Sequence, residues 1–276
     1  MKTSFLKLLP LPLLLAMPAS AASFDVGRLI SVAENVTQIA KDNGLDFNSF
    51  VKEPTQSSNP NFVAPKPPFH NFYSSKRELK KHIAKNPYTF YTNCKINVGY
   101  KNKLTPDLRS CNYQVRTDAK RARRIEFEHI TPVSWAKDQF SCWDNGGRSN
   151  CGKNDKQFKA LEADPVNLVP SVGEVNGNRS NYRYAALTSG FDYGTNGKVL
   201  YDKHSRKFMP PKEKQGWVAR VHLYMKDKYG FKYSSSYMKL INAWAKLPAT
   251  QQECDYNKLL NGYGFNNPYT VKACSS

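Results

Sequence analysis

The chain reads as an α+β protein. Helical spacing near residue 75, strand-like alternation around residue 125 and two amphipathic segments after residue 215 follow one another without alternating. Irregular stretches rich in Gly, Asn and Pro separate them, and no internal repeat is present.

Taken in order, Lys2 and Lys7 bracket a short positive start. An apolar run from Leu8 to Met17 follows, interrupted by Pro10 and Pro12, and then "PASAAS". Residues 1–22 are therefore expected to be a secretory signal peptide, cut after Ala21 or Ala22. No later stretch is apolar for the roughly 18 residues that would cross a bilayer. Leu29, Val32, Val36 and Ile39 suggest an amphipathic helix from residue 23 to about 50, and "KEPTQSSNPNFVAPKPP" (52–68) reads as a linker. Residues 23–68 are thus expected to be an N-terminal appendage, and 69–276 the main domain. Within it, "SSKRELKKHIAKN" predicts a helix capped by Ser75, and "YTFYT" a strand. "RIEFEHI" alternates as a strand does, and "CWDNGGRSNC" (142–151) predicts a tight loop presenting Arg148. "NGNRSNYRYAAL" sets Asn176 or Asn178 near a helix start. "QGWVARVHLYMKDKYG" (215–230, closed by Gly230) and "SSYMKLINAWAKL" (235–247) predict further helices.

The formal charge is +19, and +17 once Lys2 and Lys7 leave with the signal. An excess of that size points to a polyanionic partner: nucleic acid, anionic lipid or acidic polysaccharide. Six cysteines suit an oxidising compartment. They allow 15 pairings, and their clustering favours Cys94–Cys111, Cys142–Cys151 and Cys254–Cys274. There is no C-x-x-C, which argues against a zinc ribbon or a redox motif.

Glu128 and His129 are the candidate chemistry: a carboxylate that can hold a metal beside an imidazole that can act as a base. In a regular strand they point to opposite faces. To converge, the strand must end near His129, and Pro132 is consistent with that. Glu126 shares a face with Glu128 and either lies near the same metal or is a solvated or ion-paired residue, given Arg121, Arg123 and Arg124 nearby. Arg148 is suited to bidentate phosphate binding. The segment 159–184 supplies Glu162, Asp164, Glu174, Asn176, Asn178 and Asn181, an oxygen-rich set without His or Cys that suits a hard cation such as Mg²⁺.

"RIEFEHITP", "NGGRSNC", "LEADPVNLVP" and "GEVNGNRSNYR", in this order and at these spacings, resemble the bacterial endonuclease I family over roughly residues 71–275, as does the terminal "NNPY" followed by a cysteine. The resemblance implies a periplasmic or secreted, sequence-non-specific nuclease. Its ββα-metal finger core would sit in a mixed helical and small-sheet domain stapled by disulfides. It further implies His129 as general base, Glu128 and Asn176 as ligands of one Mg²⁺ (with Mn²⁺ or Ca²⁺ as substitutes), and Arg148 on the phosphate. Glu162 would orient the histidine region. DNA and RNA would be cut to 5′-phosphate ends by a monomer with no membrane attachment.

"FYTNC" departs from the family's "FYCGC"-like segment, and Leu259 and Gly264 stand where relatives often carry Arg and Gln, which weakens the expectation of C-terminal DNA contacts. His70, His82, His204 and His222 lie apart from the motifs and read as surface or core residues. Two rivals explain the charge: a basic nucleic-acid-binding protein without catalysis, and an exported hydrolase of acidic polysaccharide. Neither accounts for the motifs.

Overall fold

The computed structural model describes residues 64 and 66–275. The expected signal peptide, the helix expected from residue 23 to about 50 and most of the 52–68 linker lie outside the described residues.

Helix α1 (Phe72–Lys80) starts at Asn71, whose side chain accepts from the Ser74 backbone N–H while Ser74 reaches back to the Asn71 N–H. This capping box displaces Ser75 from the capping role expected for it. The Ser75 hydroxyl is buried instead and donates to the Ala163 carbonyl, tying α1 to a later helix. The expected strand at "YTFYT" is a turn region with a single bridge from Tyr88 to Lys95, because Thr89 and Phe90 turn inward to reach Cys94 and Pro170. Strands β1 (Lys95–Val98) and β2 (Leu104–Asp107) form an antiparallel hairpin with Cys94–Cys111 bridging its base.

Helix α2 (Ala119–Ala122) leads into β3 (Ile125–His129), as its alternation predicts. Gly147–Asn154 (α3) and Lys156–Ala163 (α4) follow. The "CWDNGGRSNC" segment is therefore a loop only as far as Gly146. Gly146 and Gly147 take positive φ (120° and 62°), and a helix starts there with Arg148 in its first turn. Cys142 and Cys151 pair across this start.

Strand β4 (Leu168–Val172) lies antiparallel to β3, with His129 opposite Leu168 and Ile125 opposite Val172. Helix α5 (Gly173–Arg179) continues directly from β4. Two antiparallel strands thus deliver straight into a helix. The junction needs glycine, since a Cβ on Gly173 would sit 2.5 Å from the Arg121 carbonyl oxygen. Asn176 lies in the middle of this helix and not at its start, because the helix begins three residues earlier than "NGNRS" suggests.

Strands β5 (Arg183–Tyr184), β6 (Phe191–Asp192), β7 (Leu200–Asp202) and β8 (Lys207–Met209) form a small sheet in the order β5-β8-β7-β6. Helix α6 (Lys212–Tyr229) is the centre of the core, with Trp217, Val218, Ala219, Val221 and Met225 buried and Gly230 closing it in the left-handed conformation. Against it lie α7 (Ser235–Ala245), α8 (Gln251–Asn261) and α9 (Pro268–Cys274). Two buried ionic clusters anchor α6, one to α8 and one to the residue that follows α4. Arg220 binds both oxygens of Glu253, at 2.6 and 2.5 Å, and Asp164 accepts from Tyr224, Tyr229 and Lys228. Cys254–Cys274 joins α8 to α9. Each of the three bridges stabilises by about 2–4 kcal/mol. The architecture is α+β, mixed helical with small sheets, and disulfide-stapled. No helix among the described residues is long and apolar enough to cross a membrane.

Candidate active site

A cavity of about 1030 Å³ opens beside the end of β3. Glu128, His129, Arg148 and Asn176 all line it, brought together from β3, α3 and α5. His129 is the last residue of its strand, and all five residues of β3 line the cavity, so the two adjacent side chains share it although a strand alternates its faces.

The His129 Nε2 lies 2.9 Å from the Glu162 backbone carbonyl, a hydrogen bond that puts the proton on Nε2 and leaves the Nδ1 lone pair bare. Its ring packs 4.8 Å from that of Phe72. Burial, then the Arg148 charge, pushes the imidazole down to about 3, so it is neutral at physiological pH. The Glu162 carboxylate accepts from Arg148 Nε at 2.6 Å, and the Arg148 guanidinium lies over the Phe72 ring. Glu162 therefore fixes the histidine through its carbonyl and the arginine through its carboxylate.

Glu128 is 3% exposed, and burial pushes its carboxyl up to about 7 against the opposing pull of Arg179 and Tyr91. Its Oε1 takes the Tyr91 hydroxyl and Arg179 Nη1, each at 3.0 Å. Glu126 is ion-paired with Arg121 and Arg124. It also accepts from Asn176 Nδ2 at 2.7 Å, which commits that nitrogen and leaves Oδ1 as the free end of the amide. Against the effect of burial, the Arg121 and Asn176 hydrogen bonds hold the Glu126 carboxyl below its usual range.

Arg179 is the residue that sequence patterns do not single out. It is 1% exposed. Besides Glu128 it donates to the carbonyls of His129 (2.9 Å) and Ile130 (2.5 Å), and its guanidinium lies over the Tyr184 ring. One buried cation thus joins α5, which carries Asn176, to the strand end that carries Glu128 and His129. Tyr91 and Tyr184 close the network with a hydroxyl–hydroxyl contact of 2.5 Å. The motif "NGNRSNYR" contains both Arg179 and Tyr184's neighbour Arg183, yet a charged residue in a polar stretch gives no sign that it will be buried.

Of the other positions in 159–184, Asp164 and Glu174 belong to structural clusters. Asp164 holds the tyrosines described above, and Glu174 accepts from Tyr113 and from the backbone of Arg116, Thr117 and Asp118. Asn178 meets Thr117, and the Asn181 side chain accepts from Arg206. The remaining histidines lie away from the cavity: His222 is a core residue bonded to the Val218 carbonyl, and His82 meets Tyr263.

The cavity wall is basic. Lys76, Arg77, Lys80, Lys101 and Arg121 line it. Burial, then the neighbouring Lys80 and Arg148 charges, holds the Lys76 ammonium below its ordinary range.

A family model described as Endonuclease I matches residues 71–274. The chain is 40% identical over 213 residues to an extracellular deoxyribonuclease of Aeromonas hydrophila, covering 75% of this chain and 92% of the relative. It is 38% identical over 206 residues to a periplasmic deoxyribonuclease of the same organism, covering 74% and 86%. Over 220 residues it is 36% identical to Endonuclease-1 of Buchnera aphidicola subsp. Acyrthosiphon pisum (strain APS), covering 79% and 87%.

Proposed function

The chain belongs to the endonuclease I family, and from that premise we propose that it is an exported, Mg²⁺-dependent nuclease that cuts DNA and RNA without regard to sequence, using His129 as its base. The observation that carries this reading is the meeting of Glu128, His129, Arg148 and Asn176 on one basic cavity.

The residues fit a hydrated hard cation. Glu128 is a buried carboxylate whose charge burial disfavours, so a cation beside it relieves that cost. Asn176 offers Oδ1 because Glu126 takes its nitrogen. Among the described residues no three His, Cys, Asp or Glu side chains converge as a metal cage. Two protein ligands suit Mg²⁺, which keeps most of its waters. When bound by Glu128 and Asn176, Mg²⁺ supplies positive charge to the phosphoryl oxygens and to the leaving 3′-oxygen.

The protein's own residues account for the rest. Arg148, held by Glu162, binds the scissile phosphate and offsets the charge that grows on it. His129 takes a proton from the attacking water at Nδ1, since Nε2 is engaged with the Glu162 carbonyl. The ring is neutral beforehand, as a base must be. The deprotonated water bonds to phosphorus as the bond to the 3′-oxygen breaks, the 3′-oxygen takes a proton from solvent water, and the phosphate remains on the 5′ end.

The test is a plasmid, and separately a structured RNA, incubated with the mature protein in Mg²⁺ with and without EDTA. Cutting of both in Mg²⁺ alone, with 5′-phosphate ends, is expected. Intact plasmid in Mg²⁺ despite tight binding favours the rival reading of a nucleic-acid-binding protein without catalysis.

A further inference from the structure

Helix α1 divides cleanly into two faces. Ser74, Ser75, Glu78 and Leu79 are buried, whereas Tyr73, Lys76, Arg77 and Lys80 face the cavity. These four recur at intervals of three, one and three residues, so they form a single stripe along the helix. The arginines of the site are matched, Arg121 and Arg124 with Glu126, Arg148 with Glu162, Arg179 with Glu128, whereas Lys101 on the cavity wall, like the cations of this stripe, has no carboxylate partner among the described residues. Lys76, Arg77 and Lys80 have no carboxylate partner among the described residues. Tyr73 is 70% exposed at the mouth of the same cavity. An exposed aromatic ring in line with three unmatched cations is the composition of a single-strand platform, with cations on the backbone and a ring on a base.

Resting on the nuclease reading above, we propose that α1 is the track on which the substrate strand lies beside the scissile phosphate. Lys76, Arg77 and Lys80 bind its successive phosphates, and Tyr73 stacks on an unpaired base. The dimensions agree. Tyr73 to Lys80 spans about 10 Å of helix, the rise of about three nucleotides on one strand. The start of the track is at the chemistry, because Phe72 packs on His129 and under both Lys76 and Arg148.

Phosphate contacts and stacking leave different signatures, which makes the proposal testable. Binding of a fluorescent single-stranded and a double-stranded DNA of equal length is measured in EDTA from 50 to 300 mM salt, for the full mature protein and its variants. Each of Lys76→Gln, Arg77→Gln and Lys80→Gln is expected to reduce the logarithmic salt slope on duplex by about 0.9. Lys80→Arg restores it. Lys203→Gln, the same charge change on an exposed turn away from the cavity, leaves it unchanged. Tyr73→Ala is expected to weaken single-strand binding about tenfold with the slope intact, and Tyr73→Phe to retain it. Unchanged slopes in all three glutamine variants, or a Tyr73→Ala loss equal on single strand and duplex, overturns the track. Plasmid cutting by the unmodified protein in Mg²⁺ is scored in parallel: if it cuts while these signatures fail, the track is wrong and the nuclease reading stands.

Discussion

His129 carries its proton on the nitrogen turned toward Glu162 and leaves the other bare, so replacing it would remove the proposed base. His129→Ala should lower turnover by roughly 10²–10⁴ while DNA binding persists; near-normal cleavage would take His129 out of the mechanism. Glu128→Ala and Asn176→Ala should raise the Mg²⁺ concentration needed for half-maximal activity, with partial recovery in excess Mg²⁺. A metal dependence identical to the parent in both variants would remove them as ligands. These residues were legible because their types sit in ordered motifs and because Pro132, soon after His129, signals that the strand stops. Arg179 was not. Its burial depends on three carbonyl or carboxylate acceptors from β3 and the turn after it, and on the Tyr184 ring, a convergence that exists only after folding. The capping of α1 by Asn71 was missed for a related reason: Ser74, Ser75 and Asn71 are all competent caps, and the buried acceptor at Ala163 decides what Ser75 does.

At the scale of elements, the helices α6 and α7 follow from periodicity, since each buries a broad stripe, and β3 follows from its alternation of residue types, although Phe127, Glu128 and His129 are buried in succession. "YTFYT" satisfies the same alternation but spends its backbone bonds on a turn, and local pattern cannot reveal that. The start of α3 is where a glycine pair, a disulfide and Arg148, the arginine proposed to bind phosphate, coincide. With Cys142→Ser and Cys151→Ser together, Gly146 and Gly147 no longer hold a fixed approach to Arg148. Loose placement of a charge costs catalysis more than binding. Turnover of that double variant should fall with a smaller change in affinity, as initial rates and binding titrations can separate; an equal loss in both would defeat this account. In α6, His222 is fully buried, and burial lowers its imidazole to about 3. The unfolded chain, with an ordinary histidine near 6.5, takes up the proton first as pH falls. The stabilising contribution is therefore complete above about 6.5 and lost toward 3, by up to about 1.4 kcal/mol per pH unit. His222→Phe should flatten the acid limb of stability, read from denaturant titrations at pH 7 and pH 4.5. Parallel pH dependence in parent and variant would contradict the assignment.

For the whole molecule, the formal charge of +19, or +17 after loss of Lys2 and Lys7, sets the character of binding. Affinity for duplex should fall steeply with salt and hardly change with sequence, because neutralising phosphates releases counterions irrespective of base order. A strong preference for one oligonucleotide over its scrambled form at equal length would sink this. The polyanion partner was legible from composition alone, but not where on the surface it would lie; that required knowing which cations fold beside a carboxylate and which do not.

The three disulfides join cysteines 17, 9 and 20 residues apart, each to the next cysteine along the chain. No bridge encloses or crosses another. A chain entering an oxidising space N-terminus first can therefore close every bond in order of arrival, before the following pair emerges, so the simplest oxidant, one that joins whichever two thiols appear consecutively, leads to the native set. Such a chain has no need of bond reshuffling, the slow step that crossed pairings impose. In cells exporting the protein, loss of the thiol oxidant should accordingly lower the yield of correctly bridged protein, whereas loss of a disulfide isomerase should leave it almost unchanged.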